Sequence, residues 1–428
     1  MKTPLSSGPG GNDPIRTAFV ITSMPVGGAE TLLVNLCRRF DKQIVAPEIV
    51  CLKEPGPLGE RIADQIPLHS EFTRGKFDPL VATRLAQHFR RRSIDVVITV
   101  GAGDKMFWGR LAAKWAGVAG VASALHSTGW PDGVGRMNHA LTPITDAFIA
   151  VADSHAAFLR EFEKFPAQRV RTIRNGVDCK RFRPDPDARV NLRRELNLPA
   201  NAKVVGIVAA LRDEKNHPMF VESAATVCRR RDVVYPDQTH FVIVGDGPMR
   251  GTIETAIERF GLTGRVHMLG SRNDTPMIVA GLDVFALSSL NEASPVSILE
   301  ALASGVPVVA TDVGSIAEMV IPGQTGTLVP SGDVAAMSDA ITDLIDDDAM
   351  RNAMGREGRT RVLRHGSLDS MTAGYTELIC ELAGRPRNIG DDGGRDAVKP
   401  SAVSASATIP IPSTLPGPTT APCESNSY

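Results

Sequence analysis

Short apolar runs recur along the chain and alternate with amphipathic stretches, the pattern of buried parallel strands separated by helices. The first run, Thr17 to Thr22 (TAFVIT), leads through MPVGGAE into the amphipathic stretch TLLVNLCRRF. Strand, glycine pair, helix is the opening of a Rossmann-like unit, in which Gly27 and Gly28 suit either a tight turn or a close approach of backbone to a ligand. Similar runs follow at IVAPEIVCL, IDVVITVG, VASALHS, AFIAVAD and VRTIRNG, with helices predicted at Pro79 to Arg92 and Lys105 to Ala116. Near Asn175 the alternation breaks into NGVDCKRFRPDPDA, a charged, Pro-rich segment that reads as an interdomain linker over residues 181–200. It restarts at KVVGIVAA and continues through HFVIVGDG, RVHMLG, DVFALSS, VPVVATDVG and TGTLVP, before closing helices at Asp346 to Leu363 and Leu368 to Leu382. The expected fold class is α/β, with two doubly wound Rossmann-like domains over residues 15–180 and 201–383. Residues 1–14 read as a flexible start. From Gly384 the chain turns to Gly, Ser, Thr and Pro, the composition of a disordered tail.

A length of 428 residues suits two such domains, and 43% hydrophobic content can fill both cores. The overall charge of −1 divides into +6 for residues 1–180 and −7 for the remainder. An anionic partner, including a peripheral contact with an anionic membrane around Arg90 to Arg92, is therefore expected on the first half. The spread of charge gives no support to nucleic-acid binding. Six scattered cysteines form no CxxC or CxxH spacing, and the other histidines show no metal-ligand spacing, so neither a zinc site nor a cofactor is implied. No apolar run reaches spanning length and the N-terminus lacks a signal-peptide core, which points to a cytoplasmic protein, at most peripheral to the membrane.

Candidate chemistry collects after the strands of the second half. Leu290 to Gly305 (LNEASPVSILEALASG) places Glu292 in a loop and Glu300 eight residues later on a helix. Ser294 is the expected N-cap and Pro295 the first helical residue, leaving the amides of Val296, Ser297 and Ile298 free to meet an anion. The stretch is equally readable as an acidic surface helix. Arg212 and Lys215 in LRDEKNH follow a strand and could clamp a diphosphate, or simply solubilise a loop. Gly245 and Gly247 in VGDGP suit backbone contact with a ligand or a tight strand-to-helix turn. His126 ends a strand of the first half. Two DxD matches, Asp185 with Asp187 and Asp346 with Asp348, do not follow buried strands and read as solvated charges.

Taken in order, GGAE (Gly27 to Glu30), Leu125 with His126, NGVD (Asn175 to Asp178), LRDEKNH, VGDGP, Leu269 with Gly270, and the paired glutamates running on to PVVATDVG resemble the retaining glycosyltransferases of family 4, with the GT-B fold, over roughly Thr17 to Leu382. The resemblance implies transfer of a sugar from a nucleotide diphosphate donor, UDP-sugar favoured and GDP-sugar the alternative, to a glycan or lipid-linked acceptor. It implies Glu292 on the donor-sugar hydroxyls, Glu300 on the ribose, and Arg212 and Lys215 on the diphosphate, aided by amides near Ser297 and Ile298. Arg272 would line the base pocket, Gly28 would approach the phosphates, and His126 would sit near the reacting sugar. Many relatives carry the first basic residue five before the lysine, where this chain has Ala210, so Arg212 is its replacement. A sugar-nucleotide epimerase of the same fold and a non-catalytic sugar-nucleotide-binding partner are the alternatives.

Overall fold

The computed structural model describes residues 13–25, 27–75, 78–101, 103–125, 135–236 and 238–385. Seven parallel strands make the first sheet: β1 (Ile15–Ile21), β2 (Val45–Cys51), β3 (Leu68–His69), β4 (Val96–Val100), β5 (Gly120–Ala124), β6 (Ala147–Ala150) and β7 (Val170–Thr172). Their order is β3-β2-β1-β4-β5-β6-β7. Six more, β8 (Lys203–Val208), β9 (Thr239–Val244), β10 (Val266–Gly270), β11 (Val284–Leu287), β12 (Val308–Thr311) and β13 (Gly326–Val329), form the second in the order β10-β9-β8-β11-β12-β13. Every pairing recorded within these sheets is parallel. The strand order reverses beside β1 in one sheet and beside β8 in the other, and at such switch points the loops after the strands splay apart to make a crevice.

Val, Ile, Leu and Phe fill the strands because helices cover both faces of each sheet, so side chains of either parity are buried. Phe241, Phe285, Val205 and Ile207 sit in the second core, and Phe19, Ile49 and Ile98 in the first. The last helix, Leu368–Leu382, belongs to the first core through Met371, Tyr375 and Ile379. The chain therefore passes between the halves twice. The two passes pair with each other: Val177 donates its amide to the Gly366 carbonyl at 2.9 Å and accepts from the Leu368 amide at 2.9 Å. A Cβ on Gly176 would lie 2.4 Å from the Ser367 carbonyl oxygen, so this crossing requires a glycine.

The segment read as a linker is fixed to the second half. It carries the helix Ala188–Glu195, whose Leu192 enters that core. Arg193 is buried and donates to the carbonyls of Ala202 (3.0 Å) and Gly281 (2.7 Å) and to Asp283 Oδ2 (2.5 Å). A Pro-rich composition looked like a spacer, but the buried Arg193–Asp283 pair anchors it. Likewise Asp346 closes the helix Val334–Asp346 rather than opening the next, which runs Asp348–His365 with the Asp347 carboxylate capping it at the Met350 amide, 2.8 Å away. The DxD aspartates there are solvent-exposed, as expected, and also pair with neighbouring cations. Asp346 pairs with Arg231, and Asp348 is drawn down to about 2 by hydrogen bonds from Lys203 and Arg351. Among the described residues no helix is long and apolar enough to cross a membrane. The predicted tail lies outside the described residues from position 386 onward, as do residues 1–12 of the predicted flexible start.

Candidate active site

The loop after β8 and the loop after β11 meet through side chains and backbone. Lys215 Nζ lies 2.5 Å from Glu292 Oε1, and Ser289 Oγ donates to the same oxygen at 2.7 Å. Glu292 is buried and Lys215 is mostly so. Such a pair sits outside the weak range of exposed ion pairs, because removing either partner leaves a charge in a poorly hydrated place. The backbone holds the two loops in register: the Leu290 amide donates to the Glu214 carbonyl at 2.8 Å, and Ser288 Oγ donates to the carbonyls of Lys215 (3.0 Å) and Asn216 (2.9 Å). Beside the lysine, His217 is fully buried and pushed down to about 4, first by burial and then by Lys215, so it is neutral near pH 7 and adds no competing cation.

The loop beneath is made of crossing backbones. Gly245 has φ +144, and a Cβ there would stand 1.9 Å from the Ala209 carbonyl oxygen; at Gly247 (φ +158) it would stand 2.5 Å from that of Leu211. Leu211 and Asp246 share an amide-to-carbonyl bond of 3.0 Å, and the Met249 amide returns to the Leu211 carbonyl at 3.0 Å. Packing of one loop on the other thus requires both glycines, quite apart from any ligand.

The helix after Glu292 is Val296–Ala303, with extended Pro295 as its N-cap, not Ser294. Ser294 is turned to other uses: its carbonyl accepts from Asn175 Nδ2 at 3.0 Å, and its hydroxyl faces Met319 Sδ at 4.0 Å. The Ile298 amide is not free, since it bonds to the Pro295 carbonyl at 3.2 Å. Val296 and Ser297 are then the residues whose amides open the helix toward an anion. Glu300, just over one turn into this helix, is only part-exposed, and burial pushes its carboxyl up to about 7 while Arg181 pulls it down. A carboxyl raised by burial beside a helix start is a candidate for a ligand-binding role.

The remaining expected residues are dispersed. Arg212 is exposed, with only a loose approach to Glu214 at 3.9 Å and no bond from its side chain to the Lys215–Glu292 pair, but its carbonyl accepts from the Lys215 amide at 3.1 Å, so the two basic residues share one turn. Arg272 is already engaged: it donates to Glu195 Oε1 at 2.6 Å and bidentately to Asp274 at 2.8 and 2.6 Å, which holds it charged. Gly28 opens the helix Gly28–Arg39, and a Cβ there would meet nothing within 4 Å. His126 lies outside the described residues, as does most of the loop that follows it. Of the basic run, Arg92 donates to Glu48 Oε2 at 3.0 Å and Arg90 bonds the Trp115 carbonyl, so part of that charge is used inside the fold. Sequence reasoning did not single out Ser289, Arg181 or Asn175. Asn175 sits inside NGVD, whose order was noticed without a role for its side chain, and Arg181 was hidden in the presumed linker.

Residues 189–361 match the family described as Glycosyl transferases group 1, and residues 26–181 match Glycosyltransferase Family 4. Over 317 residues the chain is 31% identical to the GDP-mannose-dependent alpha-(1-6)-phosphatidylinositol monomannoside mannosyltransferase of Mycolicibacterium smegmatis, spanning 71% of this chain and 80% of that protein. The chain belongs to glycosyltransferase family 4. This family 4 glycosyltransferase is also 32% identical over 250 residues to a D-inositol 3-phosphate glycosyltransferase of Corynebacterium urealyticum, an alignment that spans 56% of the chain and 58% of that relative's length. Among solved structures, that of Anabaena HepE in complex with UDP and glucose matches with a TM-score of 0.75 at 22% identity, covering 86% of this chain and 100% of that one. At that identity the likeness is one of fold, and the fold is GT-B.

Proposed function

We propose that this glycosyltransferase moves a sugar from a UDP-sugar to a hydroxyl of a glycan or lipid-linked acceptor, with retention at the anomeric carbon and without a required metal. One observation carries the reading. Lys215 and Glu292 form a buried pair at the entrance to the helix Val296–Ala303, which carries Glu300. A donor can divide that pair, since its diphosphate offers the lysine more negative charge and its sugar hydroxyls offer the glutamate hydrogen bonds. As the glycosidic bond breaks, charge grows on the leaving diphosphate, and fixed positive groups aimed there supply the largest rate term. Lys215, Arg212 and the amides of Val296 and Ser297 are those groups, which is the basis for metal independence. Glu300 takes the ribose diol and Arg272 borders the base. In the first half, Gly28 leaves open space where phosphates can approach, and His126 is assigned to the reacting sugar.

The UDP preference rests on fold neighbours such as HepE, solved with UDP and glucose, while the mycobacterial relative is named for GDP-mannose. A thermal-shift screen of UDP- and GDP-sugars separates these, because a ligand at ~100 times its Kd stabilises by ~2.7 kcal/mol. Stabilisation by UDP-sugars, followed by product that forms only when an acceptor is added, is the expected result. Product without an acceptor would assign the epimerase reading instead, and donor binding without turnover on any acceptor would leave a binding protein.

A further inference from the structure

On the first sheet, among residues given no role above, three side chains converge that no motif spacing joins. Glu48 lies in the middle of β2, His69 ends the two-residue edge strand β3, and His88 is on the helix Val81–Arg92. With period two, Glu48 shares a face with Val50, and Val50 packs against that helix through the cluster containing Val81 and Leu85. A carboxylate is costly there, and Glu48 is buried. His88 Nε2 lies 2.7 Å from Glu48 Oε1, His69 Nε2 lies 3.9 Å from Oε2, and one ligand atom from each of the three falls within 4.8 Å of the others. The rings of His69 and His88 are 4.5 Å apart at their centroids. His69 Nε2 is itself buried and has no hydrogen-bond partner, a polar atom left to face the carboxylate without bonding it.

We propose that Glu48, His69 and His88 form a binding site for one divalent transition-metal ion of the zinc class. Two imidazoles and one carboxylate, with a fourth position left to water, is a donor set that zinc accepts. Tetrahedral bonds of ~2.0–2.2 Å put ligand atoms about 3.3–3.5 Å apart, so the 2.7 Å contact opens slightly and the wider ones close. Arg92 fits this arrangement: its Nε holds Glu48 Oε2 at 3.0 Å, fixing the carboxylate from outside as ligand carboxylates are commonly held and leaving Oε1 toward the ion. The site is not sealed: the His69 side chain is part-exposed, and an open groove of about 360 Å³ lined by Pro14, Arg16, Pro47, Glu48, Pro67 and Arg92 borders the carboxylate's residue. The ion would tie the edge strand β3, whose ladder to β2 is only Ile49↔Leu68 and Val50↔His69, to the helix above it. Its role is structural, and it does not depend on the transfer reaction.

The test uses the full chain, stripped of metal and titrated with Co²⁺ and then with Zn²⁺. One equivalent of Co²⁺ should give the intense visible bands of a four-coordinate site, Zn²⁺ should displace it, and Zn²⁺ should raise the melting temperature. His69→Gln, the most exposed of the three changes, should abolish the bands and the thermal shift while circular dichroism is unchanged, and Glu48→Gln should do the same. Absence of bands in the wild type, or bands that persist in His69→Gln through the cysteines, would overturn the proposal.

Discussion

The glycines of the two halves look alike in sequence and differ in kind. Gly245 and Gly247, after β9, are forced by backbone: φ is positive and a neighbouring carbonyl occupies the place of a side chain at each. Gly28, after β1, has ordinary φ and nothing within 4 Å of where a Cβ would go. The second half therefore builds its loops as a rigid cradle from interlocked backbones, with Lys215 and Glu292 set on top. The first half presents an open position, with space around it that no packing requires. The same glycine motif is thus required by the fold in one half and not in the other, and only the surrounding backbone separates the two cases.

The sharpest way to break this contrast is to add one methyl group on each side. Gly245→Ala should cost at least ~1–3 kcal/mol for its backbone conformation alone, and more for displacing the Ala209 carbonyl, so a large fall in denaturation midpoint is expected. Gly28→Ala should change stability by no more than ~0.5 kcal/mol, since helix position and space both tolerate alanine. Its effect should appear in donor KM. Equal destabilisation by the two changes would remove the distinction.

A second, smaller effect tests how the halves are joined. Glu318 of the second half accepts from the amides of Asp153 (3.0 Å) and Ser154 (2.7 Å) and from Ser154 Oγ (2.6 Å), at the start of the helix Asp153–Glu161 in the first. Burial pushes this carboxyl up, but those bonds and Arg174 outweigh it and hold it below its ordinary value. A depressed acid contributes stability that is present above its unfolded pKa and lost as pH falls through the folded one. Glu318→Ala should cost ~1–3 kcal/mol near neutrality, with the difference from wild type shrinking in acid. Melts across that range would check it, and a pH-independent difference would argue against the carboxylate.

Glu300 has the opposite sign. Its carboxyl is raised from 4.5 to about 7, so between those values the folded protein holds a proton that the unfolded chain has released, and stability falls as pH rises. Glu300→Gln does not ionise and should gain on the wild type through that window, a change readable in parallel melts. The smallest effect is expected from the tail. Removing residues 386–428 leaves the Arg385 bond to the Asp13 carbonyl (2.7 Å) in place, and the melting temperature should move by less than ~2–4 °C, the shift of 1 kcal/mol.

Twelve of the thirteen strands were legible because burial on both faces writes them as continuous apolar runs, though several runs continue three or four residues into the loop that follows; the two-residue β3 was not, since Leu68–His69 is too short to make such a run. The Lys215–Glu292 contact was legible only as two separate expectations, since nothing in the spacing of 77 residues says that they touch. Ser294 misled because its composition suits a cap, while its carbonyl and hydroxyl are both engaged with neighbours from other elements. Arg193 and Asp283 were invisible for a related reason: a buried charge pair is recorded by neither periodicity nor motif. The Glu48, His69 and His88 cluster, drawn from two strands and a helix, is legible only once β3 pairs with β2.

The central claim is that Lys215 meets charge that grows during reaction, whereas Glu300 grips a part of the donor that does not change. Steady-state kinetics on Lys215→Ala and Glu300→Gln, each first shown to be folded, test it most directly. Lys215→Ala should lower kcat by ~10²–10³, or ~2.7–4 kcal/mol, by analogy with a lost oxyanion donor. Glu300→Gln should keep kcat and raise donor KM by ~10–100-fold, as for a lost hydrogen bond to a charged group worth ~1.5–3 kcal/mol. A wild-type kcat in Lys215→Ala, or a kcat loss at saturating donor with unchanged KM in Glu300→Gln, would contradict the account.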